Sequence, residues 1–175
     1  MDKNEIYKIL EDWNFWKRKP EIGVKRDFYL HKLKRFLATN QILVISGARR
    51  SGKSFIMRQL AQEFIEKEGN KKDVLIVNSE DPRFSELNVR TLEKIYETYL
   101  EFLSPKDNPF VLLDEVQEIE GWERWVGTMQ ELRKTQIVVS GSNAKLLSKE
   151  PATLLTGRHL EVVVFPLSFF RVFSF

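Results

Sequence analysis

Gly47-Ala48-Arg49-Arg50-Ser51-Gly52-Lys53-Ser54 decides the fold class of this sequence of 175 residues. It fits G-x-x-x-x-G-K-[ST], the pattern of a loop that wraps a phosphate chain in backbone N–H groups. Residues with small or no side chains stand where the backbone must approach the anion. The helix that follows turns its first N–H groups, and the positive end of its dipole, toward the same charge. In this reading Lys53 reaches the β- and γ-phosphates of a nucleoside triphosphate, and the Ser54 hydroxyl ligates Mg²⁺. All eight residues, with Phe55 next in the chain, are assigned to nucleotide contact. Of Arg49 and Arg50, one is expected to be a solvated surface charge, and the sequence does not say which. By average composition the pattern arises by chance in roughly 1% of chains of this length.

Working outward, residues 41–46 (Gln-Ile-Leu-Val-Ile-Ser) form a short apolar, β-branched run that fits a strand buried on both faces. Helical periodicity follows over 53–67, carrying Phe55, Ile56, Leu60 and Phe64. Strand-like runs recur at 74–78, 110–114, 137–140 and 160–165, separated by helical patterns at 88–103, 122–133 and 144–149. Alternation of this kind predicts an α/β fold, a mostly parallel five-stranded sheet flanked by helices. Before the first strand, residues 2–16 predict a helix with Ile6, Ile9, Leu10 and Trp13 on one face, ended by a turn at Pro20 and Gly23. A second helix over 27–38 opens with Asp27 as its expected cap.

The run Phe110-Val-Leu-Leu-Asp114-Glu115 is a hydrophobic strand ending in two acids. Buried parallel strands present functional groups at their carboxyl ends, where ligands bind in open α/β sheets. Asp114 is therefore assigned to the Mg²⁺ shell, and Glu115 to polarising the water that attacks the γ-phosphate. An activated water is what the glutamate suits, which argues against a kinase.

Together the loop, the Asp-Glu strand end and the later Ser140-Gly-Ser-Asn143 resemble an AAA+ ATPase core of the P-loop NTPase fold. More narrowly, Gly47-Ala-Arg-Arg50, Asp114-Glu-Val-Gln117, Gly157-Arg158 and Phe165-Pro-Leu-Ser-Phe169 are similar to motifs of a prokaryotic AAA+ group of poorly defined function. The resemblance implies strand order 5-1-4-3-2, with ATP and Mg²⁺ as cofactors. It divides the chain into a helical extension at 1–25 and an AAA+ core at 26–175. It implies a polar sensor at Asn143, with Ser142 as the alternative; either also suits the cap of the helix at 144–149. Asn78 corresponds to a polar switch that restrains the catalytic glutamate, although a turn residue needs no such role. Arg158 corresponds to a finger that reaches the γ-phosphate of a neighbouring subunit, and so to self-association; a surface salt bridge is its other use. Ile22, Val24, Arg26 and Tyr29 are expected around the adenine. The group normally carries a lid and a further C-terminal domain. A sequence ending at Phe175 is then expected to be an isolated core or a truncated member, with weaker nucleotide binding and slow turnover.

Composition narrows the classes further. With no cysteine there is no disulfide framework, thiolate metal site or cysteine nucleophile. His31 and His159 stand far apart and make no metal site. No apolar run reaches the roughly 18 residues of a membrane span, and no signal peptide is recognisable, so the expected location is the cytoplasm. Net charge is +3, enough to permit nucleic-acid contact without demanding it. Lys17-Arg18-Lys19, Lys25, Arg26 and the stretch His31 to Arg35 are the candidate basic surface, beside Trp16, on charge alone; helices commonly carry solvated lysines without any such role. Trp122 and Trp125 are expected to be core or interface anchors rather than base-stacking residues. Phe165, Phe169, Phe170, Phe173 and Phe175 make an apolar load that suits a protein partner. The leading expectation is ATP hydrolysis; the alternative is a nucleotide-controlled binding module with little turnover.

Overall fold

The computed structural model describes residues 1–142 and 159–167. After two helices, α1 (Lys3–Trp13) and α2 (Asp27–Leu37), the chain alternates strand and helix. The order is β1 (Ile42–Gly47), α3 (Lys53–Glu68), β2 (Val74–Asn78), α4 (Val89–Leu103), β3 (Phe110–Asp114), α5 (Trp122–Glu131), β4 (Gln136–Ser142) and β5 (His159–Val164). The five strands form one sheet in the order β2-β3-β4-β1-β5, and every pairing is parallel. That is the order the resemblance implied, read from the other edge.

Because strand side chains alternate between faces, each apolar strand supplies two cores. Leu43, Ile45, Ile76, Leu112, Val138 and Val162 meet α2 and α3 on one face. Val44, Val77, Val111, Leu113 and Val139 meet α1, α4 and α5 on the other. Trp122 and Trp125 are buried in the second cluster, as their spacing predicted.

Residues 74–78 and 110–114 form strands with the expected bounds. Two local expectations fail for physical reasons. Helix α1 stops at Trp13, because Asn14 turns extended and puts its carboxamide on the edge strand. Its Oδ1 accepts from Ile76 N at 2.7 Å and its Nδ2 donates to Ile76 O at 2.8 Å. Trp16 Nε1 adds a bond to Val74 O at 3.0 Å. Side chains thus occupy backbone groups that an open sheet edge would leave exposed. At α2 the cap position is Arg26, with no side-chain capping bond, and Asp27 lies inside the first turn. The Arg26 amide is tied instead to Gln59 Oε1 at 3.0 Å, which fixes where the helix starts.

Candidate functional site at the carboxyl ends of β1, β3 and β4

Parallel strands bring their carboxyl ends to one edge, and β4 lies between β1 and β3 there. Gly47 closes β1 so tightly that an added Cβ would lie 2.4 Å from the Val164 carbonyl oxygen. Gly52 caps α3 with φ +96°, a left-handed conformation that favours glycine. Between them Ser51 is buried and its N–H closes a turn on Ala48 O at 3.1 Å. Arg50 is left-handed at φ 64° and exposed. Arg49 is exposed too: its side chain is 81% exposed and meets Glu80 at 3.2 Å.

Lys53, the first residue of α3, is 3% exposed. Its Nζ lies 3.4 Å from Ala48 O, 3.5 Å from Gly47 O and 3.1 Å from Glu115 Oε1. Phe55 points outward, half-exposed, with the Arg58 guanidinium 5.4 Å from its ring. Arg26 and Tyr29, expected near adenine, are buried and bonded within the chain. The Arg26 guanidinium stacks 4.7 Å from the Tyr29 ring and donates to Phe165 O at 3.0 Å, while Tyr29 Oη accepts from Phe165 N at 3.1 Å. They brace the end of β5 against the loop; Ile22 is half-buried and Val24 exposed nearby.

The two acids differ in environment. Asp114 is buried, and its Oδ1 accepts a short hydrogen bond from Ser140 Oγ. Burial pushes its carboxyl above the ordinary aspartate range, opposed by hydrogen bonds from Ser140 and Ser54 and reinforced by the charge of Glu115. A hard divalent cation prefers such oxygen ligands, and a buried acid beside a serine hydroxyl fits one. Glu115 takes a left-handed backbone, φ 51° and ψ 50°, which swings its side chain toward Lys53. Its second oxygen, Oε2, accepts from Gln117 Nε2 at 2.8 Å, and its N–H donates to Ser140 Oγ at 3.1 Å.

Ser140 and Gln117 stood in the quoted motifs without a role of their own, and the structure bonds both to the acids. The signal for Ser140 was available: a serine inside the buried run Ile137-Val-Val-Ser140 must find polar partners. Asn78, read as a switch on the glutamate, bonds locally, its Oδ1 accepting from Glu80 N at 3.1 Å. Ser142 ends β4, half-buried. Asn143, Arg158, the expected helix at 144–149 and Phe169, Phe170, Phe173 and Phe175 lie outside the described residues.

A family model described as an AAA domain matches residues 39–173. The chain belongs to this AAA family. Two curated relatives, both uncharacterized, agree along most of it. One from Haemophilus influenzae is 38% identical over 148 residues, 83% of this chain and 36% of its own length. One from Methanocaldococcus jannaschii is 32% identical over 155 residues, 89% of this chain and 33% of its own. The chain thus spans about a third of the curated relatives it matches. Among solved structures, a DNA polymerase III gamma-subunit-related protein of Thermotoga maritima superposes with TM-score 0.59 at 21% identity, over 82% of this chain and 48% of that one. The Walker-type ATPase of Pyrococcus abyssi does so at 0.55 and 15%, over 90% and 58%. These likenesses show the AAA+ fold, and the family is one of nucleotide-binding ATPase domains.

Of the candidate basic residues, four are engaged in ion pairs. Lys17 pairs with Glu11, Arg18 with Asp12, Lys25 with Asp27 and Glu63, and Lys34 with Glu63. A polar cleft of about 560 Å³, lined by Asn40, Asn108, Gln130 and Thr135 among others, lies at the opposite end of the sheet, where β1 and β4 begin. None of the phosphate-loop or acidic-pair residues lines it. Among the described residues no helix is long and apolar enough to cross a membrane.

Proposed function

We propose that this AAA domain binds Mg²⁺-ATP and hydrolyses it to ADP and phosphate, with turnover coupled to conformational change or assembly. One observation carries the reading: Lys53 Nζ, from the helix after β1, and Glu115 Oε1, from the end of β3, meet at 3.1 Å across the end of β4, with Ser54 and Asp114 beside them. A phosphate-seeking cation, a water-activating base and a metal-holding pair converge on one point.

The loop from Gly47 to Ser54 holds the triphosphate through backbone N–H groups, and the start of α3 adds its dipole. Lys53 moves from Glu115 to the β- and γ-phosphates. Ser54 and Asp114 are the residues that hold Mg²⁺, which when bound neutralises phosphate charge. With Lys53 gone, Glu115 accepts a proton from water as its oxygen bonds to the γ-phosphorus. The bond from that phosphorus to the bridging oxygen breaks, and ADP leaves with the electron pair. Asn143 is proposed as the polar contact to the water or γ-phosphate, and Arg158 as the charge supplied to a neighbouring subunit's γ-phosphate.

A second reading, a nucleotide-controlled binding module, has its own observation: Lys53 and Gln117 occupy both oxygens of Glu115. A base held this way suits a switch that binds ATP and turns over little. Equilibrium binding of Mg²⁺-ATP and phosphate release, for wild type, Lys53→Ala and Glu115→Gln across protein concentration, separates the two. Hydrolysis that needs Glu115 and rises per subunit with concentration supports the ATPase and Arg158 in trans. Tight binding without phosphate release supports the switch. No nucleotide binding by wild type sinks both.

A further inference from the structure

We propose that Ser140 is a positioning residue that sets the two acids of the site, Asp114 and Glu115, relative to each other. The inference rests on the nucleotide-binding reading above and adds a residue to it.

Strands β3 and β4 pair through Leu113 and Val139, and the ladder stops there. Two residues on, just past the end of β3, Glu115 leaves the sheet through its left-handed turn. Its N–H has turned away from the ladder, and the Ser140 hydroxyl takes it at 3.1 Å. The same hydroxyl bonds Asp114 Oδ1. Ser140 itself has no exposed surface, so water does not replace either contact.

The hydrogen inventory fixes the direction of this chain. A backbone N–H can only donate, so Ser140 Oγ must accept from Glu115. A serine hydroxyl has one hydrogen, and it points at Asp114 Oδ1, which therefore accepts. The order is Glu115 N–H to Ser140 O–H to Asp114 Oδ1, in which each bond polarises the next. Two consequences follow. One oxygen of Asp114, Oδ1, is held by Ser140, leaving Oδ2 for a cation. The strained turn at Glu115, of a kind that persists only when its surroundings over-determine it, is anchored by the same atom. A small rotation of Ser140 would move the metal-side and water-side acids together.

The test compares Ser140→Ala, which deletes the hydroxyl, with Ser140→Thr, which keeps it. Kd for ATP with and without Mg²⁺, kcat at saturating Mg²⁺-ATP and the melting temperature are measured for each. In Ser140→Ala, kcat falls about 10- to 100-fold, the range for outer partners of metal-ligating groups, while the metal-free Kd stays within about threefold of wild type. Ser140→Thr recovers kcat to within about threefold. Wild-type kcat in Ser140→Ala, or equal loss in both variants, overturns the proposal. If wild type binds ATP without releasing phosphate, the hydrolase reading falls and Ser140 is judged by Mg²⁺-dependent affinity. The proposal then requires the Mg²⁺ enhancement to vanish in Ser140→Ala and persist in Ser140→Thr, and equal enhancement in both overturns it.

Discussion

Lys53 Nζ lies 3.1 Å from Glu115 Oε1, and the two side chains are 3% and 14% exposed. A nucleotide that needs Lys53 must first take it from Glu115. Pairs this well shielded from water keep much of their Coulomb energy, so the exchange opposes binding. Glu115→Gln removes the competing charge but keeps a hydrogen-bonding group. The expected outcome is an ATP Kd lower by about fivefold to tenfold, on the order of 1 kcal/mol, with phosphate release reduced at least about 100-fold. Titration calorimetry beside a phosphate-release assay measures both. Weaker binding in Glu115→Gln would refute the competition.

Asn14 joins α1 to the exposed side of β2 through both Ile76 backbone groups, at 2.7 and 2.8 Å. Asn14→Ala leaves a buried N–H and a buried C=O without partners, each worth roughly 1–3 kcal/mol of desolvation. Stability should fall by about 2–4 kcal/mol in urea unfolding. A loss below about 1 kcal/mol would mean that water replaces the amide at this edge.

Asp81 is buried, accepts from Trp13 Nε1 at 2.7 Å and pairs with Arg83, which also meets Asp12. The Arg83 guanidinium holds the Asp81 carboxyl down to about 2, against an ordinary value of 3.8, despite the opposing effect of burial. A folded-state value below the unfolded one means that the stabilisation is complete above the unfolded value and disappears as pH falls through the folded one. Wild type should therefore lose roughly 2 kcal/mol more than Asp81→Asn between about pH 4 and pH 2. Parallel urea titrations of the two proteins check this; identical pH dependence would contradict it.

What the sequence made legible was whatever depends on neighbours along the chain. Strands β2 and β3 read residue for residue, since apolar β-branched runs bounded by polar residues have no competing pattern. The loop at 47–54 and the acids at 114 and 115 stand where their local spacing placed them, between β1 and α3 and at the end of β3. Asn14 and Ser140 were not legible in this way, because their partners are 62 and 25–26 residues away and only the strand order brings them close. Asp27 misled because capping preference is a weak local signal, and the Arg26 amide bond to Gln59, 33 residues distant, fixed the helix start instead.

The side-chain amide bonded to Glu115 is that of Gln117, while Asn78 bonds locally. Asn78 Oδ1 serves the Glu80 amide at 3.1 Å, whereas Gln117 Nε2 holds Glu115 Oε2 at 2.8 Å. A donor on that oxygen occupies a lone pair that the attacking water would otherwise use. Gln117→Leu removes that donor, so basal phosphate release should rise about threefold to tenfold. Asn78→Ala should leave release within about twofold and cost about 1 kcal/mol of stability through the lost turn bond. Steady-state assays on both variants at saturating Mg²⁺-ATP decide the matter. A faster Asn78→Ala with an unchanged Gln117→Leu would return the switch to the end of β2. A slower Gln117→Leu would mean that the glutamine orients the base rather than restraining it.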